Sequence, residues 1–300
     1  MNAQERLDVV REWYSEEIRL AAALRSEAVV RAFGRVPRER FLGPGPWQLA
    51  VVGSSVALKL GLGTTDYVPT PDSNPERLYH NVPVAIDPAR LLNNGQPSAV
   101  AALIDALDLQ PGQRAAHVGC GTGYFSAVMA DVVGAQGQLL AIDVDASLAS
   151  RAADNLRPWP QARAEAGDGS RLPSPLDAIL INAGATHPRP EWLDALADGG
   201  RLVVPITVRF PIPGRPAGFG SGFALRLERI SAQRFHCRPV VPIAIYDCEG
   251  ARDPALEDKL KDVLRNPFGL AAVKALRRDP HERTSSCVLH ADTWCLSIEP

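Results

Sequence analysis

Three glycines at alternate positions are the first residues in this chain whose spacing suggests chemistry. Gly119, Gly121 and Gly123 lie in the stretch AAHVGCGTGYFSAVMA, between an apolar run and a segment with helical character. A strand that enters a glycine-rich turn and then a helix places backbone N–H groups and a helix N-terminus beside a ligand. The spacing is G-x-G-x-G rather than the G-x-G-x-x-G of dinucleotide-binding proteins, so the motif alone is also compatible with a plain structural turn.

Two acidic residues follow the glycines on the next two βα units. Asp143 ends the apolar run LLAIDVD, where a carboxylate can accept hydrogen bonds from both hydroxyls of a ribose. Asp168 ends the next short strand, in AGDGS, and is suited to binding an adenine amino group. Each acid alone is compatible with a cap or a turn, but their order after the glycines predicts a cofactor that contains a nucleoside.

A parallel sheet is needed to bring these residues together, and the apolar pattern predicts one. Short apolar runs alternate with helix-like segments, which is typical of an α/β protein that binds ligands at the carboxyl ends of its strands. The last two predicted strands are close enough in sequence to form an antiparallel pair. Strands are predicted at 115–118, 139–142, 177–182, 201–206, 223–231 and 235–246, with strand character at 285–299, and helices at 4–23, 26–34, 96–107, 146–156, 190–197, 255–265 and 268–277.

The composition is that of an ordinary globular chain and excludes several classes of protein. Of 300 residues, 46% are hydrophobic and 22% charged, and the net charge of −2 comes without a basic stripe, so no nucleic-acid partner is predicted. No apolar run approaches the length of a membrane span, and the acidic, amphipathic N-terminus is not a secretory signal. The five scattered cysteines contain no C-x-x-C, which indicates neither a disulfide framework nor a zinc site. We therefore expect a cytoplasmic protein without a metal.

The chain also resembles the class I S-adenosylmethionine methyltransferases, and among them the protein-L-isoaspartate O-methyltransferases, over about residues 25–207. The motifs that carry the broader resemblance are HVGCGTGYFSAVMA, AIDVD, AGDGS, LDAILINAGA and LADGGRLVVPI. RVPRERFL and YHNVPVAI…QPSAVAALIDALDL are more specific to the isoaspartyl family. The resemblance implies a doubly wound, mostly parallel, seven-stranded Rossmann-like sheet with a reversed final strand. It also implies S-adenosylmethionine as the methyl donor and S-adenosylhomocysteine as the product.

The resemblance and the course of the chain together predict three parts and two sets of site residues. We expect a helical and loop region on the substrate side at 1–97, the S-adenosylmethionine-binding domain at 98–246, and a C-terminal extension at 247–300. The cofactor-binding residues predicted are His117, Gly119, Cys120, Gly121, Gly123, Asp143, Val144, Asp168, Gly169 and Asn182. The substrate-binding residues predicted are Asn81, Asn93, Asn94, Gly95 and Gln96. No catalytic side chain is assigned.

Departures from the family pattern fall mostly in the substrate half. Gly95 stands where the family has a Ser whose hydroxyl is implied in holding the substrate carboxylate, and Asn81 where it often has Asp. The amides of Asn93 and Asn94 are candidates to replace that hydroxyl, although Asn-Asn-Gly is also a good turn sequence. In the cofactor half, His117 replaces a usual acidic residue, so it is either a structural residue or a cofactor contact.

The chemistry of methyl transfer favours a carboxylate acceptor. A carboxylic acid with a pKa of about 4 is ionised at neutral pH and needs no general base, whereas a hydroxyl or amine acceptor needs a base or a metal. The sequence shows neither a metal-ligand cluster nor a G-x-S-x-G nucleophile motif. We therefore predict an O-methyltransferase of the isoaspartyl type that acts on a peptide or protein carboxylate. Two alternatives stay open: a methyltransferase for a peptide or small-molecule natural product, and a non-catalytic cofactor-binding module.

Overall fold

Fourteen strands and seven α-helices make up the parts of the chain that the computed structural model describes, residues 1–51, 66–209, 218–266 and 269–300. The strands are β1 (Gln48–Val51), β2 (Asp66–Pro69), β3 (Ala85–Asp87), β4 (Leu92–Asn93), β5 (Arg114–Val118), β6 (Gln138–Asp143), β7 (Ala162–Ala166), β8 (Leu176–Ile181), β9 (Leu196–Val208), β10 (Phe219–Arg229), β11 (Arg234–Tyr246), β12 (Ala275–Arg277), β13 (Cys287–His290) and β14 (Cys295–Ser297). The helices are α1 (Ala3–Ala22), α2 (Glu27–Arg35), α3 (Pro97–Ala106), α4 (Tyr124–Val133), α5 (Ala146–Asn155), α6 (Pro190–Ala195) and α7 (Pro254–Arg265). Single 3₁₀ turns lie at Arg38–Phe41, Pro75–Leu78, Pro88–Arg90 and Leu270–Ala272.

Ten of the strands form one mixed sheet in the order β13–β14–β12–β11–β10–β9–β8–β5–β6–β7. The five strands from β9 to β7 are parallel, as the βα rhythm predicts. Strand β10 runs antiparallel to both β9 and β11, so the reversed strand is the sixth of the predicted seven and not the last. The seven predicted strands correspond to β5–β11, and the C-terminal segment adds three more at one edge.

The sheet divides the core into two layers because side chains alternate between its faces. Ala115 of β5 packs into the layer that contains α1–α4 and a group of aromatic side chains around Phe33 and Tyr124. Ala116 and Val118 of the same strand face the opposite layer, which contains the fully buried Trp192 of α6 and the apolar face of α7. Both faces of the parallel strands are therefore covered, which is the arrangement expected of a doubly wound fold.

The C-terminal segment differs most from the sequence-based expectation. The predicted helix at 268–277 is wrong: within the described residues this region forms the turn Leu270–Ala272 and the strand β12. Residues 267–268 lie outside the described residues. Strand β12 forms because it pairs with β11 on one side and β14 on the other, a long-range interaction that outweighs local helical propensity.

Among the described residues, no helix is both long and apolar enough to cross a bilayer.

Candidate active site

The glycine loop connects β5 to α4 at the carboxyl edge of the parallel strands. Gly119 has φ +79°, and a Cβ at this position would lie 3.1 Å from the carbonyl oxygen of Asn182. Only glycine adopts this conformation without strain and also lets the two strand ends approach so closely. The loop therefore brings the ends of β5 and β8 together at one point.

The N–H groups of the loop are directed differently from the sequence-based expectation. Those of Gly119 and Cys120 both donate to the carbonyl of Ile142, at 2.8 and 3.0 Å. That of Gly121 donates to Oδ2 of Asp143 at 2.7 Å. These three donors are used to hold the loop against β6, so the loop contributes mainly a concave backbone surface and a correctly placed Asp143.

Asp143 ends β6 beside the glycine loop and is only 8% exposed. Its Oδ2 accepts the N–H of Gly121, and its Oδ1 accepts the N–H of Asp145 at 3.0 Å. Burial raises the pKa of this carboxyl group above its ordinary value, although both backbone donors oppose the shift. Val144 is 52% exposed next to it, which is unusual for a valine at the end of a buried strand and offers an apolar surface to a flat ring.

Asp168 lies two residues beyond β7 and is more exposed than Asp143, at 44% of its side chain. Hydrogen bonds from Ser170, including its N–H at 2.9 Å, and the guanidinium of Arg189 at 3.4 Å lower the pKa of Asp168 to about 2. The carbonyl of Gly169 accepts a 2.9 Å hydrogen bond from Nε1 of Trp192. The carboxylate is thus ionised and held in place at the same sheet edge as Asp143.

Asn182 follows β8 and faces the glycine loop from the other side. Its Nδ2 donates to the carbonyl of Gly119 at 3.5 Å, while its Oδ1 is buried without a hydrogen-bond partner among the described residues. A buried acceptor normally has a partner, so this oxygen fits a ligand that carries an N–H donor. The ammonium group of S-adenosylmethionine is a donor of this kind.

His117 and Cys120 lie beneath the loop, inside the protein. His117 is fully buried in β5, and its Nδ1 lies 2.7 Å from Oγ of Ser126. Burial lowers the pKa of His117 to about 3, so the imidazole is neutral at pH 7. Burial also raises the pKa of the Cys120 thiol. The predicted cofactor contact of His117 stays a prediction; its observed contact is with α4.

The predicted substrate segment packs against the glycine loop. Cδ1 of Ile86 lies 3.7 Å from where a Cβ on Gly121 would be. Nη1 of Arg90 is 2.6 Å from Oδ2 of Asp145, which also caps α5. The segment that includes β3 and the following turn is therefore held against both the glycine loop and Asp145, two residues beyond β6.

The two asparagines before Gly95 differ in what their side chains do. Asn93 makes a turn, because its Oδ1 accepts the N–H of Gly95 at 2.9 Å, and its Nδ2 donates to the hydroxyl of Tyr67 at 3.2 Å. Asn94 is 9% exposed, and its Oδ1 accepts the N–H of Val84 at 2.8 Å. The Nδ2 of Asn94 is buried without a partner among the described residues. Of the two amides, that of Asn94 is therefore the one whose nitrogen is buried without any partner among the described residues.

The remaining predicted substrate residues hold the start of α3. Oδ1 of Asn81 accepts the N–H of Ser98 at 2.9 Å, in the first turn of the helix. Nε2 of Gln96 donates to the carbonyl of Asn81 at 3.4 Å. Gly95 has φ +82°, and a Cβ there would lie 3.3 Å from Cγ2 of Val100. A Ser at this position would be strained in the observed backbone.

Arg38, in the motif RVPRERFL, is a residue to which the sequence analysis assigned no role. Its side chain is fully buried, and the guanidinium donates to the carbonyls of Leu78, His80 and Val82. It also lies over the ring of Tyr14, at 5.7 Å from the centroid. Arg38 therefore fixes the backbone of residues 78–82, which lead into the predicted substrate segment. The motif itself was the available signal, but four of its eight residues are charged and nothing in the pattern marks Arg38 as the buried one.

The fold and this site together define a class of protein. A parallel sheet with a glycine loop after its first strand, and acidic residues after the next two, is the arrangement of a Rossmann-like S-adenosylmethionine-dependent methyltransferase. Comparisons with known proteins identify the family. The family profile described as Protein-L-isoaspartate(D-aspartate) O-methyltransferase (PCMT) matches residues 63–210.

Relatives of known description agree with this profile. The protein-L-isoaspartate O-methyltransferase of Methylorubrum populi is 32% identical over 229 residues, which cover 75% of this chain and 88% of that protein. The enzyme of the same description from Methanothermobacter thermautotrophicus is 28% identical over 188 residues, covering 61% and 73% of the two chains. The chain belongs to the protein-L-isoaspartate O-methyltransferase family and is an S-adenosylmethionine-dependent methyltransferase.

Solved structures show the same fold. One protein-L-isoaspartate O-methyltransferase superposes with a TM-score of 0.57 at 20% identity, over 84% of this chain and 69% of that one. A Plasmodium falciparum protein of the same description superposes with a TM-score of 0.55 at 14% identity, over 80% and 98% of the two chains. The Plasmodium structure is a complex with S-adenosyl-L-homocysteine.

Proposed function

We propose that the chain transfers the methyl group of S-adenosylmethionine to a carboxylate oxygen of an isoaspartyl or aspartyl residue in a peptide or protein. The bound cofactor supplies an already activated methyl group. The residues of the chain then have to bind the two substrates, align the carboxylate with the methyl group, and exclude water. Relatives described as protein-L-isoaspartate O-methyltransferases support this choice of substrate.

The state of the ionisable groups beside the glycine loop is the observation that carries the proposal. His117 is buried on Ser126 with its pKa lowered to about 3, so it is a poor proton acceptor. Cys120 is a buried thiol with a raised pKa, and both oxygens of Asp143 are held by backbone N–H groups. None of these three groups is placed to deprotonate a hydroxyl or an amine, and a carboxylate acceptor requires no such step.

The same geometry supports a division of the cofactor-binding roles. Asp143 would accept the ribose hydroxyls, Val144 would contact the adenine ring, and Asp168 would accept from the adenine amino group. Oδ1 of Asn182 would accept from the cofactor ammonium, because it is buried and has no other partner in the described chain. The backbone of the glycine loop and of Gly169 would border the cofactor, with Cys120 filling space below it.

On the substrate side, Asn94 is the residue best placed to hold the acceptor. Its unpartnered Nδ2 is a donor in the segment that packs on the glycine loop, and a hydrogen bond to a carboxylate contributes about 1.5–3 kcal/mol. Asn93, Gly95, Asn81 and Gln96 would shape this segment rather than touch the carboxylate. We further propose that 1–97 forms the substrate side, 98–246 binds the cofactor, and 247–300 is an added element.

The compartment proposed for this activity is the cytoplasm. None of the five cysteines is in a disulfide, which is usual for proteins of a reducing compartment. A change in free-thiol count between protein isolated under reducing conditions and protein exported to an oxidising compartment would test this point.

A methyl-transfer assay tests the proposed function directly. The full chain is incubated with methyl-labelled S-adenosylmethionine and one of two peptides that differ only in an isoaspartyl or a normal aspartyl linkage. We expect label in at least one peptide, and we expect mild base to release it as methanol, since a carboxyl ester is labile and an N-methyl or aryl methyl ether is not. Base-stable label would contradict the carboxylate acceptor, and an Asn94→Ala variant with an unchanged KM for peptide would remove Asn94 from the site.

A further inference from the structure

Four side chains with metal-ligating atoms converge in the C-terminal extension, away from the glycine loop. His281, Cys287, His290 and Cys295 each offer a nitrogen or sulfur, and these atoms all lie within 4.8 Å of one another. The sequence predicts no metal here, because the spacing of the cysteines matches no C-x-x-C pair. The observed cluster has the composition of a Cys₂His₂ site.

The β13–β14 hairpin explains how residues with this irregular spacing reach one place. Cys287 pairs with Ser297 and His290 pairs with Cys295, with a register shift between Cys287 and Leu289. Residues three apart in a regular strand face opposite sides. The extra residue of the bulge places Cys287 and His290 on the same side, which is also the side of Cys295.

His281 completes the cluster from the loop before β13. Its Nδ1 is 2.7 Å from the carbonyl oxygen of Asp279, so Nδ1 carries the proton and Nε2 is free to bind a metal. Hydrogen bonding of the second ring nitrogen to a carbonyl is the usual support of a metal-binding histidine. Nε2 lies 3.7 Å from Sγ of Cys287, and tetrahedral zinc would set its nitrogen and sulfur ligands roughly 3.6 Å apart.

The surroundings of the other three members of the cluster are also consistent with a bound cation. Nδ1 of His290 is buried and has no hydrogen-bond partner among the described residues. Sγ of Cys287 accepts the backbone N–H of Thr284 at 3.3 Å, an interaction that suits a thiolate. Cys295 is fully buried, so its sulfur is shielded from water.

We propose that His281, Cys287, His290 and Cys295 bind one zinc ion. Two thiolates and two neutral imidazoles select zinc among the common cations. The two negative charges of the thiolates neutralise the two positive charges of the ion, which allows the site to lie beside an apolar layer. Four protein ligands leave no open position, so the ion is structural. It would fasten the loop after β12 and the β13–β14 hairpin, and so the edge of the ten-stranded sheet. This role is independent of the proposed acceptor.

Metal analysis of the full chain tests the site. The chain is purified without a metal-affinity step, and zinc is measured by mass spectrometry in the wild type, in a Cys287→Ser/Cys295→Ser double variant, and in a Cys248→Ala control. Cys248 is a buried cysteine outside the cluster. We expect one zinc per chain in the wild type and the control, and almost none in the double variant. Wild-type chain that holds no zinc, even after dialysis against zinc chloride, would overturn the proposal, as would equal zinc in the double variant.

A measurement on the wild type alone covers the case in which the double variant does not fold. Treatment with a strong chelator should lower the melting temperature and expose two more thiols to a thiol reagent, and added zinc should reverse both effects. Replacement of zinc by Co²⁺ should produce the visible absorption of a tetrahedral cobalt site with thiolate ligands. A chelator without effect on the melting temperature and thiol count, or a disulfide between the two cysteines in freshly purified chain, would contradict the site.

Discussion

Replacement of Asp143 by Ala should greatly weaken binding of S-adenosylhomocysteine while the fold is kept. Each oxygen of the Asp143 carboxylate accepts one backbone N–H, from Gly121 at 2.7 Å and from Asp145 at 3.0 Å. An ionised carboxylate has about four acceptor positions. The two backbone bonds therefore leave each oxygen able to accept one ribose hydroxyl, and they fix the carboxylate in the direction of the loop.

The size of the effect on binding follows from the two hydrogen bonds that Asp143 would accept from the ribose hydroxyls. A hydrogen bond to a charged acceptor contributes about 1.5–3 kcal/mol, so loss of both ribose contacts removes about 3–6 kcal/mol. This corresponds to a dissociation constant raised roughly 10²- to 10⁴-fold. Because Asp143 is only 8% exposed, water cannot easily replace the missing acceptor, and the upper part of the range is expected.

Isothermal titration calorimetry with S-adenosylhomocysteine measures this change, and Asp145→Asn is the matched control. Asp145 is two residues away, and its Oδ1 accepts the N–H of Ser147 at 2.9 Å at the start of α5. Since Asn caps helices as well as Asp does, this variant should bind with nearly wild-type affinity. Circular dichroism and thermal melting check that both variants fold. A folded Asp143→Ala variant with wild-type affinity would refute the placement of the ribose.

Substitutions at His117, Arg38 and Gly95, each with a control, test other inferences. His117 is buried with its pKa lowered to about 3. As pH falls below about 6.5, this histidine is protonated in the unfolded chain but not in the folded one, so the free energy of unfolding decreases. Between about pH 7 and pH 5 the decrease is about 2 kcal/mol. Urea denaturation should show this loss in the wild type and in the exposed control His236→Gln, and much less of it in His117→Gln. Arg38→Ala leaves the carbonyls of Leu78, His80 and Val82 without their donor, of which that of Leu78 is buried, and should lower the unfolding free energy by about 3 kcal/mol, with a smaller loss for Arg38→Lys. Gly95→Ser should not raise kcat/KM on an isoaspartyl peptide, because the backbone angle φ of +82° costs an L-residue about 1–2 kcal/mol. A kcat/KM of Gly95→Ser well above that of Gly95→Ala would instead show that the hydroxyl binds substrate.

The parallel half of the sheet could be predicted from the sequence because its signals are local. Apolar runs such as 139–142 and 177–182 correspond closely to β6 (Gln138–Asp143) and β8 (Leu176–Ile181). The positions of Asp143 and Asp168 at one edge follow directly, since parallel strands end on the same side. The resemblance to a family added the doubly wound arrangement and the presence of a reversed strand, although it placed that strand last and not sixth.

The roles of neighbouring polar residues could not be predicted from the sequence. Asn93 and Asn94 are identical and adjacent, and both fit a turn. They differ only because Asn94 meets the backbone of Val84, ten residues earlier, whereas Asn93 closes the turn to Gly95. A pattern of residue types carries no information on which of two equal side chains points inward.

The metal-ligand cluster was missed for a related reason. Its spacing reflects a β-bulge and the pairing of β13 with β14, neither of which has a local signature in SSCVLHADTWCLSIE. The strand β12 was likewise predicted as helix because its neighbours β11 and β14 are distant in sequence. In both cases a tertiary contact decides the structure.

The segment that would hold the acceptor is positioned by residues from three separate parts of the chain. Arg38 binds the backbone at its start, and Arg90 joins it to Asp145, two residues from the proposed ribose ligand Asp143. The hydroxyl of Tyr246, at the end of β11, donates to the carbonyl of Leu91. None of these side chains needs to contact the substrate, yet each one sets where Asn94 lies relative to the glycine loop. Substrate preference in this chain is therefore expected to respond to substitutions at Arg38 or Tyr246 as well as within the 93–96 turn, through the KM for peptide and with little change in cofactor affinity.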